Sequence, residues 1–210
     1  MKPDALIFDL DGTLWDTSAT CAAAWNRVLA RRAIVHALVR AADIAAVAGQ
    51  PHIAAVRRVF ASLSEGEIAL LAEETQEEDN RAVAEYGGDL YPGVRECLPL
   101  LSARLPLLIV SNCQRGYIEV FLEWSGLASH FADFECWGNT GRSKSENLRV
   151  ITERNRLRAP VFVGDTEGDW QAAADNRIPF VHVGWGFGQV SAPDHRIEAF
   201  SELVRLATSE

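Results

Sequence analysis

Two aspartates stand two positions apart near the start of the chain, at Asp9 and Asp11, and Gly12 and Thr13 follow them. The apolar run at 5–8 is too short for a typical helix, so it predicts a buried strand. Two neighbouring acids repel each other unless a cation or a protonation difference relieves the repulsion. The pair therefore indicates a metal site, acid and base chemistry, or both, although Asp-Gly is also common in acidic surface turns.

Further polar residues follow later apolar runs of the sequence. Ser111 and Asn112 end one run, Asp165 follows another, and Asp169 comes four residues later. Lys144 is an isolated lysine in a chain whose other basic residues are, apart from Lys2, all arginines. Because parallel strands bring their carboxyl ends to one edge of a sheet, we expect these groups to converge on the first acid pair. Such a cluster could hold Mg²⁺ through carboxylates and bind a phosphate oxygen through hydroxyl and ammonium groups.

The elements that must position these residues fall into two regions. Residues 16–88 read as a helical insert, with a helix capped by Ser18, an amphipathic stretch at 35–47, a helix opened by Pro51 and one capped by Ser64. From about residue 90, short apolar strands alternate with helices, which is typical of βαβ units and a parallel sheet. The fold class is therefore α/β, with a doubly wound parallel sheet and an inserted helical region.

Composition narrows the function classes. The net charge of −9 disfavours binding to nucleic acid, and no apolar run is long enough to span a membrane. The four cysteines lack metal-ligand spacing, and Met1 leads directly into the first strand without an apolar targeting segment. We therefore expect a cytoplasmic protein with reduced thiols and a small-molecule partner; the sequence does not indicate an oligomeric state.

Four segments together resemble the motifs of the haloacid dehalogenase superfamily of phosphohydrolases, in order and in spacing. They are Asp9-Leu-Asp-Gly-Thr13, Val110-Ser-Asn112, Lys144 and Gly164-Asp-Thr-Glu-Gly-Asp169. The resemblance covers nearly the whole chain. It implies a Rossmann-like catalytic core over 1–15 and 89–210, with a helical cap of the C1 type over 16–88.

The resemblance also implies roles for the acidic residues. Asp9 would attack phosphorus and form an aspartyl phosphate, while Asp11 would protonate the leaving alcohol and then deprotonate water. Mg²⁺ would be held by the carboxylate of Asp9, the backbone carbonyl of Asp11 and the carboxylate of Asp165. Asp169 would support the metal or its waters from the first turn of the next helix.

Other positions would bind the substrate. Ser111 and Lys144 would bind the transferring phosphoryl group, helped by backbone N–H groups around Gly12, Thr13 and Asn112.

The cap would choose the leaving group. Gln50 lies in the cap loop 49–51 at a position that often faces substrate, and Arg57 could meet a substrate carboxylate. The turn at 184–188 resembles the Trp-Gly-x-Gly turn of phosphoglycolate-phosphatase-like members, which makes a phosphoglycolate-like substrate the first expectation.

Two features separate branches of the superfamily. Members that cleave carbon–halogen bonds lack the second aspartate, so Asp11 favours phosphoryl transfer. Members that cleave carbon–phosphorus bonds use a cap lysine, and residues 16–88 contain none. The sequence thus predicts a Mg²⁺-dependent phosphatase acting on a small phosphomonoester. A sugar-phosphate mutase and a catalytically idle binding or regulatory module are the alternatives.

Overall fold

The computed structural model describes residues 3–34 and 37–207. Its strands are β1 (Ala5–Phe8), β2 (Trp15–Asp16), β3 (Asp89–Leu90), β4 (Leu107–Ser111), β5 (Phe131–Cys136), β6 (Pro160–Gly164), β7 (Phe180–Val183) and β8 (His195–Ile197). Its α-helices are α1 (Ser18–Arg31), α2 (Ala41–Ala45), α3 (His52–Val59), α4 (Glu65–Tyr86), α5 (Val94–Ser102), α6 (Tyr117–Ser125), α7 (Trp137–Thr140), α8 (Lys144–Arg154), α9 (Glu167–Asp175) and α10 (Ser201–Leu206).

Six strands form one sheet in the order β5-β4-β1-β6-β7-β8, and every neighbouring pair is parallel. Successive residues of β1 pack into different cores, because side chains of a strand alternate between the two faces of the sheet. Leu6 and Phe8 belong to one core, whereas Ala5 and Ile7 belong to the other. The sheet is therefore covered by helices on both faces, which confirms the α/β doubly wound prediction.

Strands β2 and β3 form a separate antiparallel pair, in which Trp15 lies opposite Leu90 and Asp16 opposite Asp89. The helices α1–α4 lie between these two strands in the sequence. They share a third hydrophobic core, which includes Trp25 and is separate from the two cores at the sheet. The placement of the boundaries of a separate cap at 16 and 88 stays a prediction.

The helices of this insert differ in detail from the sequence predictions. The helix opened by the Ser64 capping box is present as predicted, with Ser64 and Glu67 bonding reciprocally. The stretch at 35–47 is shorter than predicted: Val35 lies outside the described residues, and only α2 is helical. Ser18 is the first residue of α1 rather than its cap: Thr17 occupies the cap position, and the side chain of Asp16 accepts the backbone N–H of Ser18.

In the part of the chain that the structure describes, none of the helices combines the length and apolar character needed to cross a membrane.

Candidate active site

The first strand delivers Asp9 to the carboxyl edge of the sheet, where its side chain is buried. The N–H of Asp9 donates to the carbonyl of Val163 at 2.8 Å, so the backbone is fixed by the neighbouring strand β6. That same strand ends beside Asp165, and α9 places Asp169 on its first turn. A carboxylate oxygen from each of the three aspartates lies within 4.8 Å of the others.

Lys144 opens α8 and projects its ammonium group between two of these acids. Its Nζ donates to Asp9 Oδ1 at 2.7 Å and to Asp169 Oδ1 at 2.6 Å, and all three side chains are buried. Burial alone would lower the pKa of Lys144, but the charges of Asp169 and Asp9 outweigh burial and raise the pKa. The lysine is therefore a permanent cation that links two carboxylates.

One ammonium cannot neutralise the whole cluster. Burial raises the pKa of Asp9 well above its usual range, and the charge of Asp169 adds to the rise. Burial and the charge of Asp169 likewise raise the pKa of Asp165 to about 7. A hard divalent cation would remove this penalty, and carboxylate oxygens are its preferred ligands. The donor set therefore fits a metal such as Mg²⁺.

The Gly184–Gly188 turn holds the carboxylate of Asp165. The backbone N–H groups of Phe187 and Gly188 donate to Oδ2 at 2.8 and 3.3 Å, while the Thr13 hydroxyl donates to Oδ1 at 3.4 Å. The backbone approaches this closely because it carries no Cβ at Gly186, where an added Cβ would overlap Asp165. The turn thus orients one of the three clustered acids.

Asp11 faces the same space but has different partners. Its Oδ1 accepts hydrogen bonds from Thr17 Oγ1 and from the hydroxyl of Tyr117, each at 3.1 Å. Burial raises the pKa of Asp11 to about 6, and the hydrogen bonds from Tyr117 and Thr17 oppose that rise. A carboxyl with such a pKa can both give and take a proton near neutral pH.

The predicted phosphate-binding residues surround the two acids. Ser111 ends β4 with a buried side chain whose oxygen accepts the N–H of Cys113 at 3.2 Å. Gly12 has φ +86° and donates its N–H to Trp15, so this N–H is already engaged within the turn. The hydroxyl of Thr13 points to Asp165, as described above. Of these three residues, Ser111 lines the cavity next to Asp9.

A cavity of about 90 Å³ lies between the sheet edge and the helices α1–α4. Asp9, Asp11 and Ser111 line its floor, and residues of the helical insert line the opposite side. Asn112 also lines it and joins the two sides, because its Nδ2 donates to the carbonyl of Gly49 at 2.7 Å. The structure therefore holds the insert directly over the acid pair.

Gln50 and Arg57 were the two cap residues predicted to contact the substrate, and the structure brings one of them to the cavity. Gln50 lines it. The guanidinium of Arg57 instead binds both carboxylate oxygens of Glu65 on the surface, at 3.0 and 2.8 Å, and Arg57 does not line the cavity. Sequence reasoning could not fix which face of α3 would turn inward.

Several cavity residues were not predicted. Thr17 and Tyr117 hold Asp11, and Trp25, His52 and Asp79 lie on the side of the helical insert. Thr17 stands close to the first motif and could have been considered as a hydroxyl partner. The other four carry no local sequence signal, because their helix faces meet only after packing.

Comparison with known proteins gives a consistent result. The family model described as haloacid dehalogenase-like hydrolase matches residues 6–183. A phosphoglycolate phosphatase of Synechococcus elongatus is 31% identical, over 97% of this chain and 97% of that protein. A phosphoglycolate phosphatase of Agrobacterium fabrum is 28% identical, over 94% of this chain and 89% of that protein.

Solved structures agree at the level of the fold. A haloacid dehalogenase-like family hydrolase from Streptococcus pneumoniae superposes with a TM-score of 0.84 at 21% identity, covering 97% of this chain and 98% of its own. A protein from Lactobacillus delbrueckii subsp. bulgaricus reaches a TM-score of 0.86 at 20% identity, with full coverage of both chains.

Proposed function

The chain belongs to the haloacid dehalogenase-like hydrolases and is a phosphoric monoester hydrolase, and we propose that it is a Mg²⁺-dependent phosphatase using Asp9 as its nucleophile. One observation carries this proposal: the carboxyls of Asp9 and Asp11 line one cavity but have different surroundings. Asp9 lies in the acid cluster beside Lys144, whereas Asp11 is held by two hydroxyls. Two carboxyls in distinct environments are suited to two distinct tasks.

In the first step, a carboxylate oxygen of Asp9 attacks phosphorus and the bond from phosphorus to the leaving oxygen breaks. Asp11 donates its proton to that oxygen, so the alcohol departs neutral and an aspartyl phosphate remains. The raised pKa of Asp11, about 6, keeps part of its population protonated for this task.

In the second step, the now ionised Asp11 accepts a proton from water as the water oxygen attacks the aspartyl phosphate. The bond between phosphorus and the Asp9 oxygen breaks, which releases inorganic phosphate and restores both carboxyls. One residue thus serves as acid and then as base, and Thr17 and Tyr117 keep it in place for both steps.

Asp9 and Asp165 are the residues proposed to hold Mg²⁺ with their carboxylates, together with the backbone carbonyl of Asp11. When bound, the metal would supply positive charge that offsets the repulsion between the anionic nucleophile and the anionic substrate.

Asp169 is proposed to position other groups of the site. One of its oxygens binds Lys144 and the other caps α9 through Thr166, so it positions the lysine and the helix.

Lys144 and Ser111 are proposed to bind the transferring phosphoryl oxygens, where negative charge builds up. Asn112 contributes by holding the loop at Gly49 over the site.

Gly12 and Thr13 are better suited to shaping the site than to donating backbone N–H groups, since both of their N–H groups bond within the turn. Arg57 would need a different rotamer and the loss of its Glu65 partner to reach substrate.

The substrate class remains a small phosphomonoester. The names of the relatives point to a phosphoglycolate-like substrate, whereas the cavity itself supports only a short leaving group. Among the described residues no particular contact favours the mutase alternative, and the intact acid pair argues against an idle module. A cytoplasmic location stays a prediction.

The test uses ethyl phosphate, which has a minimal leaving group. The wild-type protein should release phosphate from it in the presence of Mg²⁺ and lose this activity with a chelator. Asp9→Asn should abolish turnover, and the variant should still unfold in a cooperative thermal transition, which shows that it is folded. Asp175→Asn, which changes an exposed aspartate at the end of α9, is the matched control and should retain activity. Undiminished turnover by Asp9→Asn would refute the assignment of the nucleophile.

A further inference from the structure

Asp79 is a buried carboxyl of α4 that the proposed reaction does not use. It lines the same cavity as Asp9 and Asp11, on the side of the helical insert. Its Oδ2 accepts a hydrogen bond from Trp25 Nε1 at 3.0 Å, whereas its Oδ1 is buried and has no hydrogen-bond partner. A buried acceptor without a partner carries a desolvation cost, so the arrangement is incomplete without a further group.

A second acceptor lies beside this carboxyl. The hydroxyl of Thr75 donates to the carbonyl of Leu71 at 2.7 Å, so its contact with His52 Nε2 at 2.8 Å requires the histidine to donate. Burial lowers the pKa of His52 to about 4, so the ring is neutral and its Nδ1 is a bare acceptor. That Nδ1 lies 3.8 Å from Asp79 Oδ2, too far for a hydrogen bond between them.

The charged side chains that line the cavity are all acidic, because Lys144 does not line it and is already paired with Asp9 and Asp169. The described residues that line it include Asp9, Asp11 and Asp79 but no lysine or arginine. A substrate carboxylate would therefore find no cationic side chain on the side of the helical insert, where the leaving group must lie. A carboxylate transferred to such a site without a paired charge is costly.

Size sets a further limit. The volume of about 90 Å³ is enough for roughly six to nine water-sized groups, at about 10–15 Å³ each. A leaving group of a few heavy atoms beyond the phosphate fits this volume. Any polar group at its far end must come close to the side that holds Asp79 and His52.

We propose that Asp79 is a specificity-determining residue, which accepts a hydrogen bond from a hydroxyl or ammonium group on the leaving group and disfavours substrates that carry a carboxylate there. The inference rests on the proposed phosphatase activity and narrows its substrate class to phosphorylated short alcohols with a second hydroxyl or an amine. In this respect the chain differs from the phosphoglycolate phosphatases to which it is similar.

The protonation state of Asp79 fits this assignment. Burial raises its pKa to about 8 against the opposing contacts of Trp25 and Cys21, so the empty site holds a largely neutral carboxyl at neutral pH. The charges of Asp11 and Glu78 raise its pKa further. A bound ammonium would favour the ionised form, whereas a hydroxyl can donate to either form.

A matched substrate series tests the proposal with the full-length protein. Ethyl phosphate, 2-hydroxyethyl phosphate, 2-aminoethyl phosphate and 2-phosphoglycolate share a two-carbon leaving group and differ at its far end. The wild type should show a kcat/KM for the hydroxyl and amine substrates about tenfold or more above that for 2-phosphoglycolate, which is the effect of one hydrogen bond to a charged or buried group. Comparison of the two preferred substrates separates the hydroxyl from the amine.

The variant Asp79→Asn keeps the shape of the side chain but removes its capacity to ionise. It should lower the ratio of kcat/KM for 2-aminoethyl phosphate to that for ethyl phosphate by about tenfold. A ratio within one protein is independent of how much of it is folded. Glu77→Gln removes an exposed acid from the same helix and should leave the ratio unchanged.

The outcomes separate the two proposals. Hydrolysis of ethyl phosphate with equal rates across the series, or with ratios that Asp79→Asn leaves unchanged, overturns the assignment of Asp79 alone. Preference for 2-phosphoglycolate over the hydroxyl and amine substrates also overturns it, whatever the effect of Asp79→Asn, because the site would then favour a carboxylate. Failure to hydrolyse any of the four esters overturns the proposed phosphatase activity, and this assignment with it.

Discussion

Tyr117 donates its hydroxyl hydrogen to Oδ1 of Asp11 across 3.1 Å, although 106 positions of sequence separate the two residues. The Tyr117 ring is buried and packs edge-on against Trp15. The position of the tyrosine hydroxyl is therefore fixed, and this hydroxyl also lies 2.7 Å from Thr17 Oγ1, so the two hydroxyls together limit the positions that Asp11 can adopt.

Replacing Tyr117 by phenylalanine should lower kcat, because Asp11 would keep only Thr17 as a donor and would be less well oriented. We expect a loss of about tenfold, corresponding to one hydrogen bond to a carboxylate, with a smaller change in KM. Steady-state kinetics on ethyl phosphate measure the effect. Tyr86→Phe removes a hydroxyl from an exposed ring and is the control. An unchanged kcat in Tyr117→Phe would show that Asp11 needs no such support.

Replacing Lys144 by methionine should destabilise the fold, since it leaves Asp9 and Asp169 buried and unpaired. Loss of one partner from a buried ion pair costs about 3–5 kcal/mol, which urea unfolding in the presence of a chelator would detect. Arg149→Met breaks an exposed pair with Glu153 on the same helix and should cost less than about 1 kcal/mol. Equal unfolding midpoints for the two variants would show that Lys144 does not stabilise the buried acids.

Replacing Gly186 by alanine should weaken metal binding, because the new Cβ would overlap Asp165 and displace its carboxylate or the turn that holds it. We expect the Mg²⁺ concentration for half-maximal activity to rise by about tenfold or more, which is typical when the support of a metal ligand is lost. Gly168→Ala is the control, because its Cβ would meet only Thr166 Oγ1 at 3.6 Å. The idea fails if both variants require the same Mg²⁺ concentration.

The pKa of Asp79 predicts a loss of stability at alkaline pH. The folded-state pKa is raised from 3.8 to about 8, so between these pH values the native state binds more protons than the unfolded state. The free energy of unfolding therefore falls as pH rises from about 4 to 8. His52, with a folded pKa of about 4, acts in the opposite direction below pH 6.5, so the measurement belongs above that value. Between pH 6.5 and 8 the loss due to Asp79 should be about 1.6 kcal/mol, and Asp165, whose pKa is raised to about 7, adds a loss of the same sign.

Urea unfolding of the wild type and of Asp79→Asn at these two pH values measures this loss. The variant cannot ionise at position 79, so its stability should change less over the same interval. Glu77→Gln should follow the wild type. A parallel decline of wild type and Asp79→Asn would mean that position 79 is not the group responsible.

Much of the fold and the acid cluster could be predicted from the sequence, because both depend on local patterns. Short apolar runs that end in Asp9, Ser111 and Asp165 predict parallel strands with polar ends, and topology alone brings such ends to one edge. The structure does bring Asp9, Asp165 and Asp169 together, with Lys144 between two of them.

The helix residues that reach the cavity could not be predicted in the same way. Tyr117, His52 and Asp79 reach the cavity because particular faces of α6, α3 and α4 turn inward, and those faces are chosen by packing between helices. Arg57 illustrates the difficulty: it lies on α3 with His52, yet one residue lines the cavity and the other binds Glu65 on the surface.

The antiparallel pair of β2 and β3 has a consequence for how such enzymes diversify. Trp15 and Leu90 lie side by side, so the chain leaves the sheet and returns to it at nearly one point. The segment between them can therefore change in length without separating β1 from the strands that follow the segment. Under the proposed function, substitutions in this segment beyond Thr17, which holds Asp11, should change the choice of substrate more readily than the reaction itself.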